Sequence, residues 1–229
     1  MGRTHSIQGR ATQRSPREQL LEAGLDVFGE HGYNAATTRM IAKRAGMNIA
    51  AIPYYFNGKL GLYHAVVELV TETIVHRLQE PLDNIEKALT QSKPGPREAQ
   101  DLFERLLMGL IDLMVGSKEA QRFMRIILRE QLYPSPAYDL LFSRFMEPML
   151  TPLSQLVGLA TNSTSSRESV LRAFSLLGQV LVFRIGRETM VRSLGLDGYS
   201  PEETQEIRKI VLEQTRAALG RLNGASQLS

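Results

Sequence analysis

From Ser15 onwards, apolar residues recur at three- and four-residue spacing along most of the chain. This period matches one face of an α-helix, and no stretch alternates apolar and polar residues for long enough to indicate a β-strand. Clusters of Gly, Pro, Ser and Thr separate the helical stretches, at residues 94–96, 116–117, 134–136, 161–166 and 195–200. The sequence therefore predicts an all-α fold.

The first and last predicted helices have recognisable N-termini. Residues 15–18 read Ser-Pro-Arg-Glu and residues 200–203 read Ser-Pro-Glu-Glu. Each combines an N-cap serine, a proline in the first helical position and a glutamate at the third, which together form a capping box. Glu202 and Glu203 could also be a pair of catalytic carboxylates, but their place in a first helical turn favours capping and stabilisation of the helix dipole.

Two short helical segments near the N-terminus flank a tight turn. The first starts at Thr37 and ends at Gly46. Asn48 is a suitable N-cap for the second, which we expect to begin at Ile49. Two short helices joined by a three- to four-residue turn that contains glycine are typical of the helix-turn-helix, which we therefore predict over residues 37–56.

The chain is predicted to divide into four parts. Residues 1–14 form a disordered basic arm, 15–78 the helix-turn-helix domain, 79–223 a larger helical domain and 224–229 a tail. Residues 1–60 carry 8 Lys and Arg against 4 Asp and Glu, while the remainder is nearly balanced. This asymmetry fits a polyanionic partner, although a solvated basic tail would explain it equally well. The arm either is idle or touches the DNA backbone or minor groove.

Several classes of function find no support in the sequence. There is no cysteine, and the four histidines lack metal-ligand spacing, so we expect neither a metal site nor a cofactor. A nucleophile motif, a phosphate-binding loop and a plausible catalytic triad are all missing, so we do not expect an enzyme. The polar N-terminus and the lack of any apolar run of ~18 residues predict a cytoplasmic protein without a membrane partner.

Residues 37–46 (TTRMIAKRAG), with 49–56 and then Lys59 and Leu62-Tyr63, resemble the N-terminal domain of TetR-family transcriptional regulators. The resemblance covers about residues 15–70. It implies a three-helix helix-turn-helix domain that binds an operator in double-stranded DNA, followed by a larger helical domain for ligand binding and dimerisation. An incidental helical hairpin would explain the turn, but not the threonine, glycine, aromatic and lysine positions together.

The resemblance, together with the affinity of helix N-termini for phosphate, predicts the DNA contacts. The predicted DNA-binding residues are Thr37, Thr38, Arg39, Asn48, Ile49, Ala50, Ala51, Pro53, Tyr54, Tyr55 and Lys59. The front of the third helix is small and apolar, so we expect backbone contacts and DNA shape to carry much of the recognition. Pro53, about five residues into that helix, is expected to remove a hydrogen bond, but near the first turn of a short helix, where we expect the distortion to be tolerated.

A second resemblance lies in the C-terminal part. Residues 129–136 (REQLYPSP) and 178–188 (GQVLVFRIGRE) are similar to the CecR-like subgroup, which implies a ligand-responsive repressor with an unidentified small-molecule effector. Polar residues within apolar helices are the predicted effector-binding residues: Arg125, Arg129, Glu130, Gln179 and Arg184. Arg184 could instead pair with Glu188 on a helix surface. Met108, Met114, Met124 and Met146 either line an adaptable cavity or fill the core.

Two late helices, over residues 167–194 and 201–221, carry apolar stripes. They either cover their own core or pair with their symmetry mates in a four-helix bundle, and the resemblance favours the homodimer. The predicted interface residues are Val170, Phe174, Leu177, Gly178, Leu181, Ile207, Val211 and Ala218.

The predicted function is a homodimeric, ligand-released repressor on a near-palindromic operator. Two recognition helices would enter successive major grooves about 34–36 Å apart. The alternatives are a transcriptional activator and a protein-interaction module with a degenerate helix-turn-helix. The apolar front of the third helix and Pro53 are the features that keep the second alternative open.

Overall fold

The computed structural model describes residues 14–115, 117 and 120–225. Within these ranges the chain forms twelve α-helices and two short π-helical segments without a β-strand, which confirms the predicted all-α fold. The helices are α1 (Pro16–Ala35), α2 (Thr38–Ala45), α3 (Ala51–Phe56), α4 (Lys59–Arg77), α5 (Gln79–Lys87), α6 (Pro96–Met114), α7 (Ala120–Leu132), α8 (Tyr138–Leu141), α9 (Glu147–Thr161), α10 (Ser166–Ile185), α11 (Arg187–Leu194) and α12 (Pro201–Ala225), and the π-helical segments are Ala88–Ser92 and Phe142–Met146. Most of the predicted arm and tail lies outside the described residues.

The chain consists of two compact units that divide between Val66 and Val67, inside α4. The N-terminal unit contains α1, α2, α3 and the start of α4, and the C-terminal unit contains the remaining helices. Because α4 runs through the division, the predicted domain boundary after residue 78 stays a prediction.

Helix α1 begins with the predicted capping box. The backbone N–H of Ser15 donates to the carboxylate of Glu18 at 2.8 Å, and the N–H of Glu18 donates to the hydroxyl oxygen of Ser15 at 3.2 Å. Near its other end, Gly32 has φ 77° and ψ 169°, a backbone conformation that L side chains rarely adopt. The predicted stop at Gly32 is therefore a sharp break, after which α1 continues only to Ala35.

The core of the N-terminal unit is built where α1 and α4 cross. A Cβ atom at Gly24 would lie 3.2 Å from a methyl carbon of Val66, so the glycine permits the close approach. Rings from both helices pack next to it: Phe28 lies 4.6 Å from Tyr63 between centroids, and Tyr33 lies 5.1 Å from Tyr63. Helix α2 packs against α1, and α3 packs against α2.

In the C-terminal unit, α6 and α9 pack against each other and against α10 and α12. The carboxylate of Glu104, buried on α6, accepts hydrogen bonds from Gln100 at 2.8 Å and from the guanidinium of Arg216 on α12 at 2.7 and 2.9 Å. A buried charge that is paired in this way fixes the register of α12 against α6.

The predicted single helix over residues 167–194 is wrong, because the chain breaks at Gly186. Helices α10 and α11 are bent by 64° at this point. The hydroxyl of Tyr199 donates at 3.1 Å to the carbonyl oxygen of Phe183, in the last turn of α10. This bond satisfies a helix-end carbonyl and stabilises the break. The carboxylate of Glu188 pairs with Arg192 at 2.8 Å, and not with Arg184 as the alternative interpretation required.

Across the described ranges, no single helix has the length and apolarity needed to cross a membrane. The bent pair of α10 and α11 reaches that length and composition only when the two helices are taken together.

Candidate nucleic-acid interface and ligand cavity

The first turn of α2 is capped and open to solvent. The hydroxyl oxygen of Thr37 accepts a hydrogen bond from the backbone N–H of Met40 at 3.2 Å, as expected for an N-cap threonine. Thr37 and Arg39 are exposed and Thr38 is half-buried. Backbone N–H groups in the first turn of a helix lack helical acceptors and carry partial positive charge. This turn therefore suits a phosphate group.

Helix α2 ends in a tight glycine turn, as predicted. Gly46 has φ 67° and ψ 30°, in the left-handed region. The backbone N–H of Met47 donates to the carbonyl of Ala42 at 2.9 Å and closes the turn. Residues 46–50 alone separate α2 from α3, which places the second helix of the motif directly beside the first.

Helix α3 begins at Ala51 and not at the predicted Ile49. The backbone N–H groups of Ala51 and Ile52 donate to carbonyls three residues earlier, at 3.0 and 3.2 Å, which is the spacing of a tighter turn. The side-chain oxygen of Asn48 accepts from the N–H of Ala50 at 2.9 Å. Asn48 therefore caps this lead-in turn, while the helix proper starts later than the sequence pattern indicated.

The late start of α3 removes the expected cost of Pro53. Pro53 is the third residue of the helix, within the first turn, where backbone N–H groups have no helical acceptor. This agrees with the expectation that any bond lost to Pro53 falls near the first turn of a short helix, where the helix tolerates it. The helix continues beyond the proline, since the N–H of Asn57 donates to the carbonyl of Pro53 at 3.1 Å.

One face of α3 is anchored and the other is open. Ile52 is fully buried and Phe56 nearly so, and the guanidinium of Arg17 lies 5.1 Å from the centre of the Phe56 ring. Tyr54 is 80% exposed, and its ring meets that of Tyr55 edge-on at 4.8 Å. Of the predicted contact residues here, those exposed are Asn48, Ile49, Ala50, Pro53, Tyr54 and Tyr55, while Ala51 is half-buried.

The C-terminus of α3 lies against the first turn of α4. Asn57 and Gly58 both have positive φ, at 55° and 106°, and they reverse the chain between the two helices. A Cβ atom at Gly61 would lie only 1.8 Å from the carbonyl oxygen of Phe56. Gly61 is therefore required for this close approach between the end of α3 and the first turn of α4.

Lys59 joins the start of α4 to the end of α1. Its ammonium donates to the carbonyl of Asn34 at 3.3 Å and lies 4.6 Å from the ring centre of Tyr33. Burial lowers the pKa of the Lys59 ammonium. An ammonium has three donors, and among the described residues only one of them is used. The predicted contact of Lys59 with DNA backbone stays a prediction.

The basic residues of α2 are of two kinds, one paired with α1 and two exposed to solvent. The guanidinium of Arg44 pairs with Glu30 at 2.9 Å and with Asp26 at 3.7 Å, both on α1, and so links the two helices. Arg39 and Lys43 are exposed on the same helix. Lys43 was not among the predicted contacts, although its position in the last turn of α2 could have indicated an exposed cation.

The C-terminal unit contains an apolar cavity of about 260 Å³ between α6, α7, α10 and the chain from Phe145 into α9. Its lining residues are Leu110, Met114, Met124, Ile127, Leu128, Gln131, Phe145, Met146, Met149, Phe174, Leu177, Gly178, Val180 and Leu181. Three of the four methionines considered from the sequence are among them, and Met108 is not. The aliphatic lining and Met149 were missed, because only tertiary packing brings these segments together.

The predicted effector-binding residues do not line this cavity. Glu130 is buried and accepts a hydrogen bond from the N–H of Ser135 at 3.1 Å, which gives it a structural role in the loop after α7. The side-chain oxygen of Gln179 is buried, with no hydrogen-bond partner among the described residues. Arg125 is exposed, and Arg129 and Arg184 are half-buried.

The predicted interface residues fall into two groups. On α10, Phe174 is 65% exposed, Val170 is also exposed, and a Cβ atom at Gly178 would meet no atom within 4 Å. Ile207 and Val211 on α12 are buried within their own unit, so we remove both from the predicted interface. Leu177 and Leu181 are half-buried, and Ala218 is exposed.

An exposed apolar stripe on α10 was only partly predicted. It consists of residues at helical spacing, namely Val170, Leu171, Phe174, Val182 and Ile185. Ile210, on the outer face of α12, is exposed as well. Apolar exposure on this scale is uncommon in a monomer and is typical of an interaction surface.

The part of the chain that the structure describes contains no group of three or more His, Cys, Asp or Glu residues that could hold a metal ion.

Two family models match the chain. Residues 20–66 match the bacterial regulatory proteins of the tetR family. Residues 99–222 match the C-terminal domain of the helix-turn-helix transcriptional dual regulator CecR. Together the two matches cover the candidate nucleic-acid interface and the apolar cavity.

Known proteins extend this similarity. The dual regulator CecR of Shigella flexneri is 33% identical over 196 residues, which are 85% of this chain and 87% of that protein. The structure of AibR with isovaleryl coenzyme A and operator DNA has a TM-score of 0.63 at 14% identity and covers 87% of this chain and 97% of its own. FadR of Bacillus subtilis with stearoyl-CoA has a TM-score of 0.56 at 16% identity, over 86% and 96%.

Proposed function

Because this chain belongs to the TetR family of DNA-binding transcriptional regulators and carries a CecR-type C-terminal domain, we propose that it is a homodimeric repressor released from its operator by a small molecule. Its relatives regulate transcription and are not enzymes, as the sequence predicted. The observation that carries the proposal is the pairing of the open, capped first turn of α2 with the exposed face of α3.

In this proposal the N-terminus of α2 holds a backbone phosphate and α3 lies in the major groove. Thr37, Thr38 and Arg39 would contact phosphate oxygens, and the hydroxyls of Tyr54 and Tyr55 would do the same from α3. The remaining front of α3 offers methyl groups, which suit the methyl group of thymine. Contacts to the backbone would therefore set most of the affinity.

We propose that two copies pair through the apolar stripe of α10 and the outer face of α12. An isologous interface of this kind makes a four-helix bundle from two helices of each subunit. Phe174 and Ile185 supply exposed apolar area, and Gly178 leaves room for close approach of the partner helix. A twofold dimer would place its α3 helices on a near-palindromic site, about 34–36 Å apart.

The cavity of the C-terminal unit is our proposed effector site. Its volume of about 260 Å³ and its mostly apolar lining are the properties of a small-molecule pocket, near the lower end of the usual range. Two proteins of the same fold hold coenzyme A thioesters with an apolar acyl group, which supports an apolar effector here. Binding would favour a conformation that no longer fits DNA.

A gel shift of the full-length protein on the DNA upstream of its own gene tests the DNA-binding step. At fixed salt and with excess competitor DNA, we expect one discrete band, and we expect Arg39→Ala to weaken it. Lys209→Ala is the matched control, since it removes an exposed cation from α12 in the other unit.

The outcomes separate the alternatives. Equal binding of competitor and upstream DNA, or no loss with Arg39→Ala, would favour the protein-interaction module over the DNA-binding regulator. If the band forms, transcription in vitro from the same fragment gives the sign of regulation. Increased transcription would replace the repressor by the activator.

A further inference from the structure

The cavity is lined by apolar side chains, with no charged side chain among its lining residues. Among its lining residues only Gln131 has a polar side chain, and the methionines from α6, α7 and the start of α9 can adapt to irregular shapes. Its volume of about 260 Å³ exceeds the ~150 Å³ of an apolar cavity that holds benzene. A chain or ring system of medium size would fit.

Arginines stand at one end of this cavity. On α10, Arg184 follows Leu177 by seven residues and Leu181 by three, so it continues the face that lines the cavity. On α7, Arg125 precedes the lining residue Leu128 by three. Repulsion from Arg125 contributes to the lowered pKa of the Arg184 guanidinium, which indicates that the two side chains are neighbours. Arg184 follows the last lining residue of α10, and Arg125 follows Met124, the first lining residue of α7, so both lie near the same end of the apolar lining.

The break between α10 and α11 adds a third guanidinium. Arg187 opens α11, and its guanidinium carbon lies 5.7 Å from the ring centre of Tyr199. A Cβ atom at Gly198 would lie 2.9 Å from a terminal nitrogen of Arg187, so the glycine leaves space for this side chain. The hydroxyl of Tyr199 is held by its bond to Phe183. The side chain of Arg187 is thus positioned by Gly198 and Tyr199, in the loop after α11.

No carboxylate balances these charges within the part of the chain that the structure describes: none of Arg125, Arg184 and Arg187 forms an ion pair there. Burial lowers the pKa of the Arg184 guanidinium, and repulsion from Arg187 and Arg125 lowers it further. Holding a half-buried cation beside two others is unfavourable until an anion is supplied. Arg192 on α11, by contrast, has a carboxylate partner in Glu188.

We propose that the effector is an amphipathic anion, whose apolar body occupies the cavity and whose carboxylate or phosphate is held by Arg184, Arg187 and Arg125. Guanidinium groups bind both anions through paired, charge-assisted hydrogen bonds. This inference rests on the proposed effector site and names the chemical class of its ligand.

Isothermal titration of the full-length protein with three ten-carbon probes tests the proposal. Decanoate and monodecyl phosphate share their apolar chain with decan-1-ol, which lacks the charge. We expect at least one of the two anions to bind about tenfold more tightly than the alcohol, the effect of one or two charge-assisted hydrogen bonds. The anion preferred distinguishes a carboxylate effector from a phosphate effector.

Substitutions locate the effect. Arg184→Gln and Arg187→Gln should each reduce the preference for the anion while leaving the affinity for decan-1-ol unchanged, and Arg184→Lys should retain part of it. Arg192→Gln, which removes an exposed arginine of α11, is the matched control and should keep the full preference. Equal thermal unfolding temperatures of these variants would show that the fold is intact.

The inference is overturned if decan-1-ol binds as tightly as both anions, if no probe binds, or if the preference survives in the Arg184→Gln, Arg187→Gln double variant. Gel shifts with the same preparations keep the proposed function separate. An anion that binds through the arginines without releasing DNA would support the ligand class and contradict ligand release. Release of DNA by decan-1-ol alone would support ligand release and contradict the anionic ligand class.

Discussion

At position 61 the chain has no room for a side chain, and this makes a sharp prediction for one residue. Gly61→Ala would place its Cβ atom 1.8 Å from the carbonyl oxygen of Phe56, a backbone atom that cannot rotate away. We expect the free energy of unfolding to fall by about 1–3 kcal/mol, towards the upper end of that range, and DNA binding to be lost with the position of α3. Urea unfolding and a gel shift measure the two effects.

Gly220→Ala provides the comparison, because a Cβ atom there meets nothing within 4 Å and the position also lies in a helix. Alanine has the higher helix propensity, so this variant should be unchanged or slightly more stable. If both alanine variants unfolded at the same urea concentration, the contact between Gly61 and Phe56 would not be a constraint.

Single residues also decide what could be predicted. The N-caps Ser15 and Ser200 were correctly identified, because each bonds to a backbone N–H three residues later and needs no other part of the fold. The role of Lys59 was not foreseen. Its bond to Asn34 joins residues that are 25 apart in sequence, and a local pattern contains no information about it.

Helix α12 depends on its first turn, and this gives a pH-dependent prediction. The Glu203 carboxylate accepts from the backbone N–H of Ser200 at 2.8 Å, and hydrogen bonds from the Ser200 side chain and backbone lower the pKa of Glu203. A folded-state pKa below the unfolded value of about 4.5 means that the stabilisation is present above that pH and is lost as the pH falls through the folded-state value.

We therefore expect Glu203→Ala to lower the melting temperature at pH 7, and the difference from the unsubstituted protein to shrink in acid. Circular dichroism melts across this pH range measure both. Glu206→Ala, at an exposed position on the same helix, should have a smaller effect. Equal melting temperatures for the two variants at pH 7 would contradict a special role of the capping box.

The exposed apolar face of α10 leads to a prediction about the proposed dimer interface. Phe174→Glu puts a charge at the centre of the apolar stripe, where a paired helix would have to bury it. We expect the protein to change from dimer to monomer in sedimentation equilibrium at micromolar concentration. Tyr133→Glu, at a 76% exposed position after α7, should leave the dimer intact. A monomeric unsubstituted protein would refute the proposed pairing directly.

The late helices show where the periodic pattern fails as a guide. Apolar residues continue at helical spacing through Gly186, so the sequence predicted one helix where the structure has two. At the break, Tyr199 donates to a carbonyl 16 residues earlier, a contact that a local pattern does not contain. Ile207 and Val211 fit an interface by spacing alone, yet they face the core, because periodicity identifies an apolar face without saying which partner covers it.

For the whole molecule, the apolar cavity of the C-terminal unit was the least predictable feature. It is assembled from α6, α7, α9, α10 and a π-helical segment, each of which contributes only one to five residues. Three methionines indicated its location, but their spacing is equally that of core residues. The helix-turn-helix was predictable because α2, the turn and α3 are consecutive in sequence, whereas the cavity exists only after the C-terminal unit has packed.

The salt dependence of DNA binding tests the dimer and the DNA contact together. Each phosphate contact that a basic side chain makes contributes about 0.9 to the slope of log K against log salt concentration. Arg39 is exposed in the first turn of α2, and a dimer presents it twice. We therefore expect Arg39→Ala to make the slope shallower by about 2, and Lys209→Ala to leave it unchanged. A change of about 1 would mean that one protomer holds the phosphate, as for a monomer or for a dimer with a single engaged half. An unchanged slope would place Arg39 outside the interface and transfer the contact to Lys43 or Lys59, the other cations at that surface.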